Sequence, residues 1–246
     1  MAADLARPFL TATWRHILML NYEVDQDALV PFVPRGTKLD TWQGRHYISI
    51  VAFRFLHTRV HRIPIPFHRN FDEINLRFYV RRDTSDGCRR GVVFIKEVVP
   101  RWAIAAVARW RYNENYVACP TESSIQLPDA EGRGSLRFSW TPKGIERLTA
   151  SVKVMGRPTA LSEGSEAEFI TEHFWGYTAQ RDGSTVEYQV EHPSWQIWPG
   201  RESELSGPVG AFYGSRFGAV LSQPPRSAFV ANGSDVIVRQ GKRLDV

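Results

Sequence analysis

The chain has 246 residues, 43% of them hydrophobic and 23% charged, the profile of a soluble globular protein with room for one large β domain. Its net charge of +5 comes from dispersed arginines with no long run of like charge, which argues against nucleic acid as a partner. No stretch approaches the about 18 apolar residues of a membrane span, and the first ten residues lack an apolar leader core, so no membrane partner and no secretory signal are expected. The two cysteines, Cys88 and Cys119, form no CxxC pair; this disfavours a disulfide framework or zinc ribbon and points to the cytoplasm. The 12% aromatic content, with 8 Trp, suits a β-rich core around a lined cavity.

In chain order, Trp14 to Tyr22 reads as a first strand. Asp25 then stands as an N-cap for a short helix that ends at Pro34. Thr37 to Trp42 is predicted as a short strand, Gln43-Gly44 as a tight turn, and Arg45 to Phe55 as a long strand. Alternation puts Tyr47, Ser49, Val51, Phe53 and Phe55 on one face of that strand and His46, Ile48, Ile50, Ala52 and Arg54 on the other. Both faces carry apolar groups, so both are expected to be covered. His57 to Asn70 reads as a loop, because Pro64 and Pro66 oppose helix and central strand. Its three histidines, His57, His61 and His68, lie among arginines and prolines rather than on a helix face, so no metal site is expected.

Phe71 to Tyr116 holds the densest set of polar residues in apolar surroundings. With a period of two, Glu73, Asn75, Arg77 and Tyr79 share one face of a strand, opposite Asp72, Ile74, Leu76, Phe78 and Val80. The polar face is either a solvated strand face or the wall of a polar lumen. The next strand, Gly91 to Val99, is apolar apart from Lys96 and Glu97. A buried lysine loses hydration of its charged form and becomes a candidate imine-forming amine. The commoner outcome is pairing with a carboxylate such as Glu97 or Glu73. Pro100 to Tyr112 is predicted as a buried helix whose Arg109 needs an anionic partner, from the protein or from a ligand.

Further on, Leu136 to Trp140 and Leu148 to Val154 alternate like strands, and Glu163 to Phe174 reads as a helix with a Ser165/Glu168 capping box. Tyr177 to Arg181 and Thr185 to Val190 flank the hairpin signal Asp182-Gly183, and Asn232-Gly233 marks another turn. Many short strands and few short helices make the chain mainly β with a closed sheet. No internal repeat or convincing linker divides it. Nucleotide, serine-hydrolase and zincin motifs are absent, so no cofactor is expected.

Several of these segments, taken together and in order, resemble the uncharacterised YqjF-like family of the acetoacetate decarboxylase-like superfamily. They are Trp14-Arg15, VDQDALVPFVP, LDTWQGRHYISIVAFRF, the row Glu73-x-Asn75-x-Arg77-x-Tyr79-Val80, RGVVF from Arg90, Ala108-Arg109, TEHF from Thr171, and His192-Pro193-x-Trp195. The resemblance implies a mainly β (α+β) fold, a complex β-barrel with a central cavity and a few short helices, as one domain over residues 1–246. In acetoacetate decarboxylase, adjacent lysines after a cavity strand supply the nucleophile; here that region reads VVPRWAIAAVARW and has none. Lys96 lies earlier, on the strand itself. The expectation is a cavity protein binding a small anionic or carbonyl-containing molecule. Glu73 and Lys96 are the candidate catalytic groups, and Asn75, Arg77, Tyr79, Arg109, Tyr116, His192 and Trp195 the candidate ligand-binding ones. The alternatives are a lyase or decarboxylase acting on a small oxo acid through a Lys96 imine, and a non-catalytic structural or partner-binding protein. Assembly into a homo-oligomer is left open.

Overall fold

The computed structural model describes residues 6–64, 69–100 and 115–245. The first half of the chain runs β1 (Pro8–Val24), α1 (Gln26–Leu29), β2 (Lys38–Leu39), β3 (His46–Val60), β4 (Ile63–Pro64), β5 (Phe71–Thr84), β6 (Gly87–Val99) and β7 (Tyr116–Ala118). The second half continues with β8 (Thr121–Gln126), β9 (Gly134–Trp140), β10 (Leu148–Val154), α2 (Glu166–Thr171), β11 (Trp175–Ala179), β12 (Thr185–Glu191) and β13 (Ile197–Ser206). It closes with α3 (Val209–Tyr213), α4 (Ser215–Leu221), β14 (Ser227–Ala231), β15 (Asp235–Arg239) and β16 (Lys242–Arg243). The architecture is mostly β, with a few short helices.

One sheet path runs β4-β3-β5-β6-β11-β12-β15-β1-β14-β13-β10-β9-β8, and β1 also pairs with β3. That extra pairing, from Leu10↔Val60 to Val24↔His46, brings the path back on itself. The resulting ring has short links: β6 meets β11 only at Trp175↔Gly91 and Gly176↔Val92, and β12 meets β15 only at Val190↔Val238 and Glu191↔Ile237. Rolling the sheet gives its long strands two covered faces. On β3 and β5, Ile48, Ile50, Ala52, Ile74, Leu76 and Phe78 enter one apolar core. Tyr47, Val51, Phe53, Phe55, Phe71 and Tyr79 enter a second core on the opposite face. The alternation read from the sequence therefore partitions both strands as observed.

β1 bends at His16, whose φ is 57°, and its two halves take different neighbours: Pro8–Thr13 pairs with β15, Ile17–Asn21 with β14. The Asn232-Gly233 turn spans this bend. Trp14 N donates to Ser234 O (2.8 Å) and Arg15 Nη1 to Gly233 O (2.8 Å). A Cβ at Gly233, whose φ is +76°, would stand 2.1 Å from Trp14 O, so only glycine fits.

Several sequence expectations shift. His57 to Asn70 is not a loop throughout: β3 continues to Val60, and Ile63–Pro64 pairs back onto it. Pro64 is tolerated because this strand lies at the end of the sheet path, where its missing N–H breaks no ladder. The strand expected over Thr37 to Trp42 shrinks to Lys38–Leu39, and Trp42 and Arg45 close the turn with reciprocal backbone bonds of 3.1 and 3.0 Å. Asp25 occupies the N-cap position without a side-chain cap bond. The helices α3 and α4, in the glycine-rich piece, carry no strong sequence signal. The helix expected over Pro100 to Tyr112, with Arg109, lies after Pro100 outside the described residues, as does His68.

The Ser165/Glu168 signature marks the start of α2, which is shorter than expected. Ser165 Oγ accepts from Glu168 N (3.1 Å), while the Glu168 carboxylate reaches Gly164 N (2.6 Å) rather than the cap residue's own amide. Ser165→Ala is expected to cost about 1 kcal/mol of unfolding free energy, the usual loss for an N-cap, measured by urea denaturation. No change would mean that Glu168 alone holds the helix end.

Candidate functional site

The rolled sheet encloses a cavity of about 220 Å3 against the second core. β5 sends Phe71, Glu73, Asn75 and Arg77 into it, and β3 sends Val51, Phe53 and Phe55. The pairing sets these opposite one another: Phe55↔Phe71, Phe53↔Glu73, Val51↔Asn75. β1 contributes Leu10, Trp14, Ile17 and Met19. The polar row foreseen on β5 is thus turned into the lumen rather than to solvent.

β6 decides which of its two charged residues joins that row. Strict alternation from Val92 and Phe94, both cavity-lining, would carry Lys96 inward. A β-bulge intervenes: Arg77 pairs with Phe94 but Leu76 with Lys96, leaving Ile95 extra. One extra residue reverses the side-chain parity beyond it. Glu97, opposite Asn75, lines the cavity and is buried. Lys96 is turned to the other core, where its Nζ donates to the Phe212 carbonyl and lies 4.3 Å from the Phe212 ring centre. Burial lowers the Lys96 pKa, but the amine does not reach the cavity.

Glu73 and Asn75 are buried, and Asn75 Nδ2 donates to Glu73 Oε1 (3.2 Å). The Asn75 Oδ1 atom has no hydrogen-bond partner among the described residues. Arg77 is half-buried. Its Nη2 donates to the Ile170 carbonyl of α2 (3.1 Å), and its Nε lies at 3.5 Å from the Tyr79 hydroxyl. Tyr79 does not itself line the cavity: its hydroxyl is bonded to Ser49 (2.7 Å), and its ring packs on His173 at 4.7 Å. It supports Arg77 from behind. Ser49 in turn donates to Asn21 Oδ1 (2.7 Å), so this support is anchored across three strands.

Tyr116, His192 and Trp195 line the cavity as well. His192 stacks on Trp195 (4.3 Å between ring centres, 21° between planes), and its Nδ1 donates to the Pro193 carbonyl (2.9 Å). Burial lowers the His192 pKa. Trp195 is fixed by its Nε1 bond to Ser234 Oγ (2.9 Å). Arg109 lies outside the described residues.

Three features go beyond the candidate residues taken from the sequence. Glu97 enters through the bulge. Trp14, Phe53, Phe55 and Phe71 form an aromatic wall, with Phe55 and Phe71 stacked at 4.6 Å. His173, just beyond α2, is buried at the cavity edge with its Nε2 3.6 Å from Asp40 Oδ2, too far for a full hydrogen bond. Burial holds the His173 pKa down at about 4. For Asp40, burial pushes upward, but contact with His173 and the Arg90 Nε bond (2.7 Å) outweigh it and hold the carboxyl at about 2. The phenylalanine wall was legible as one face of a strand; His173, at the end of a short helix, read as a structural residue, with a cavity wall as the alternative. Among the described residues no group of three His, Cys, Asp or Glu side chains could hold a metal ion. No helix among them is long and apolar enough to cross a membrane.

Comparison with known proteins adds a family and a fold. The family DUF2071, described as an uncharacterised conserved protein, matches residues 11–235. The uncharacterised protein YqjF of Bacillus subtilis (strain 168) is 39% identical over 195 residues, covering 79% of this chain and 76% of that protein. Among solved structures, the enduracididine biosynthesis enzyme MppR complexed with pyruvate superposes with a TM-score of 0.69 at 17% identity, over 98% of this chain and 92% of that one. Acetoacetate decarboxylase from Legionella pneumophila gives a TM-score of 0.69 at 15% identity, over 97% and 88%. At such identities the likeness concerns the fold.

Proposed function

Because the chain belongs to the DUF2071 family and shares its fold with acetoacetate decarboxylase-like enzymes, we propose that it binds a small carbonyl- or carboxylate-bearing molecule in its cavity. The observation that carries this reading is Arg77. It faces the cavity with Nη1 free of any hydrogen bond among the described residues, while its other donors hold it to α2 and Tyr79. A guanidinium so positioned suits a carboxylate or a polarised carbonyl. Asn75 beside it adds an amide. The fold neighbour MppR, captured with pyruvate, lends the same class of ligand. A protein whose interior is purely structural would fill this space with side chains.

The lyase alternative needs an amine at the reacting carbon. The sequence has five lysines, Lys38, Lys96, Lys143, Lys153 and Lys242, and none lines the cavity. Binding without imine chemistry is therefore the better-supported reading. It treats the chain as one domain, and the free thiols Cys88 and Cys119 accord with a cytoplasmic setting.

Thermal denaturation with a panel of small oxo acids, carboxylates and ketones tests this. A ligand at a hundred times its Kd is expected to add about 2.7 kcal/mol of stability. Borohydride added to the same mixtures is expected to leave every lysine unmodified. A panel without a single stabilising compound would sink the binding reading, and a reduced adduct on a lysine would restore the imine one.

A further inference from the structure

Among the described residues, the polar row on β5 gives way along the strand to an aromatic wall. Along β5, its lining residues run from Arg77 through Asn75 and Glu73 to Phe71, about 20 Å of strand at about 3.3 Å per residue. Beyond Glu73 the described wall is aromatic: Phe71 stacks on Phe55, and the Trp14 ring meets Phe55 at 5.7 Å. Farther on, Leu10 is paired on one side with Val60 and on the other with Val238, and all three line the cavity. A three-carbon acid held at Arg77 would cover the polar end and leave the aromatic end against water. A ligand with a hydrocarbon body would desolvate both.

We propose that the cavity takes an oxo acid or related carbonyl acid bearing an apolar chain or aryl ring, with its polar head at Arg77 and Asn75 and its body along Phe71, Phe55 and Trp14. This rests on the cavity-binding reading above and adds to it the class of tail. The head uses Arg77 Nη1, which has no hydrogen bond among the described residues, and the tail needs only shape and exclusion of water.

Isothermal titration of the full chain with unbranched 2-oxo acids of three to eight carbons, and with phenylpyruvate, tests the inference. Affinity is expected to rise about fourfold per added methylene, from the about 0.8 kcal/mol that a buried methylene contributes. Each longer member is also expected to bind with 1:1 stoichiometry and to compete with the shortest. Affinity that stays flat or falls with length, while the three-carbon acid binds, would overturn the tail and leave the binding reading intact. Tightening without competition would place the longer acids elsewhere on the protein and also overturn it. If no member of the series binds, this inference fails, and the wider panel of carboxylates and ketones decides the binding reading.

Discussion

Arg77→Met is expected to weaken binding of a carboxylate-bearing ligand by about 100-fold. Truncating one partner of a desolvated, hydrogen-bonded charge pair costs about 2–5 kcal/mol, much of it from leaving the other charge buried and unmatched. The substitution has a structural cost, because the Ile170 carbonyl loses its donor (3.1 Å), an expected about 1–2 kcal/mol of stability. Titrating the variant with an oxo acid and with the matching methyl ketone separates the two effects. The loss should be large for the acid and small for the ketone. Equal losses for both would mean that Arg77 shapes the cavity without holding the head group.

Acid is expected to destabilise the protein through His173 by about 3 kcal/mol between pH 6.5 and 4. The folded-state pKa is depressed from 6.5 to about 4, with burial the principal cause and the Arg90 and Arg77 charges adding to it, while Asp40 opposes. An imidazole with a depressed pKa is neutral in the fold and protonates first in the unfolded chain. Its contribution is therefore fully present above pH 6.5 and is lost as the pH falls to about 4. The gap between those values corresponds to about 3 kcal/mol. His16 and His192, both lowered by burial, act in the same direction, so the informative quantity is a difference. Urea unfolding of the unsubstituted chain and of His173→Gln across this range should show a shallower pH dependence in the variant. Asp40, held at about 2, takes over only below its unfolded value of 3.8. Parallel pH profiles for the two proteins would show that His173 does not titrate in this way.

Much of the framework is legible from local chemistry. The faces of β3 and β5 follow from the period of two, because both sides of each strand are covered and each side chain must match its own core. The Asp182-Gly183 hairpin holds because Gly183 takes a φ of 81° and Asp182 accepts from Ser184 N (3.1 Å). The Ser165 cap needs only neighbours three residues apart. The polar row on β5 is equally visible, yet a solvated face and a lumen wall have the same alternation. Only closure of the sheet by β1 against β3, which joins residues far apart in sequence, turns that row inward.

The sequence by itself determined the class of fold, the alternating faces and the candidates for the cavity, Glu73, Asn75, Arg77 and Lys96, with Glu97 only as a possible ion-pair partner of Lys96. The tertiary structure alone decided between Lys96 and Glu97. A bulge at Ile95 requires no particular residue there; it arises from the register in which β6 meets β5, with Asn115 Nδ2 donating to the Ile95 carbonyl (3.0 Å). One unpaired residue reverses every side chain beyond it, which places a carboxylate in the cavity and sends the amine to the other core.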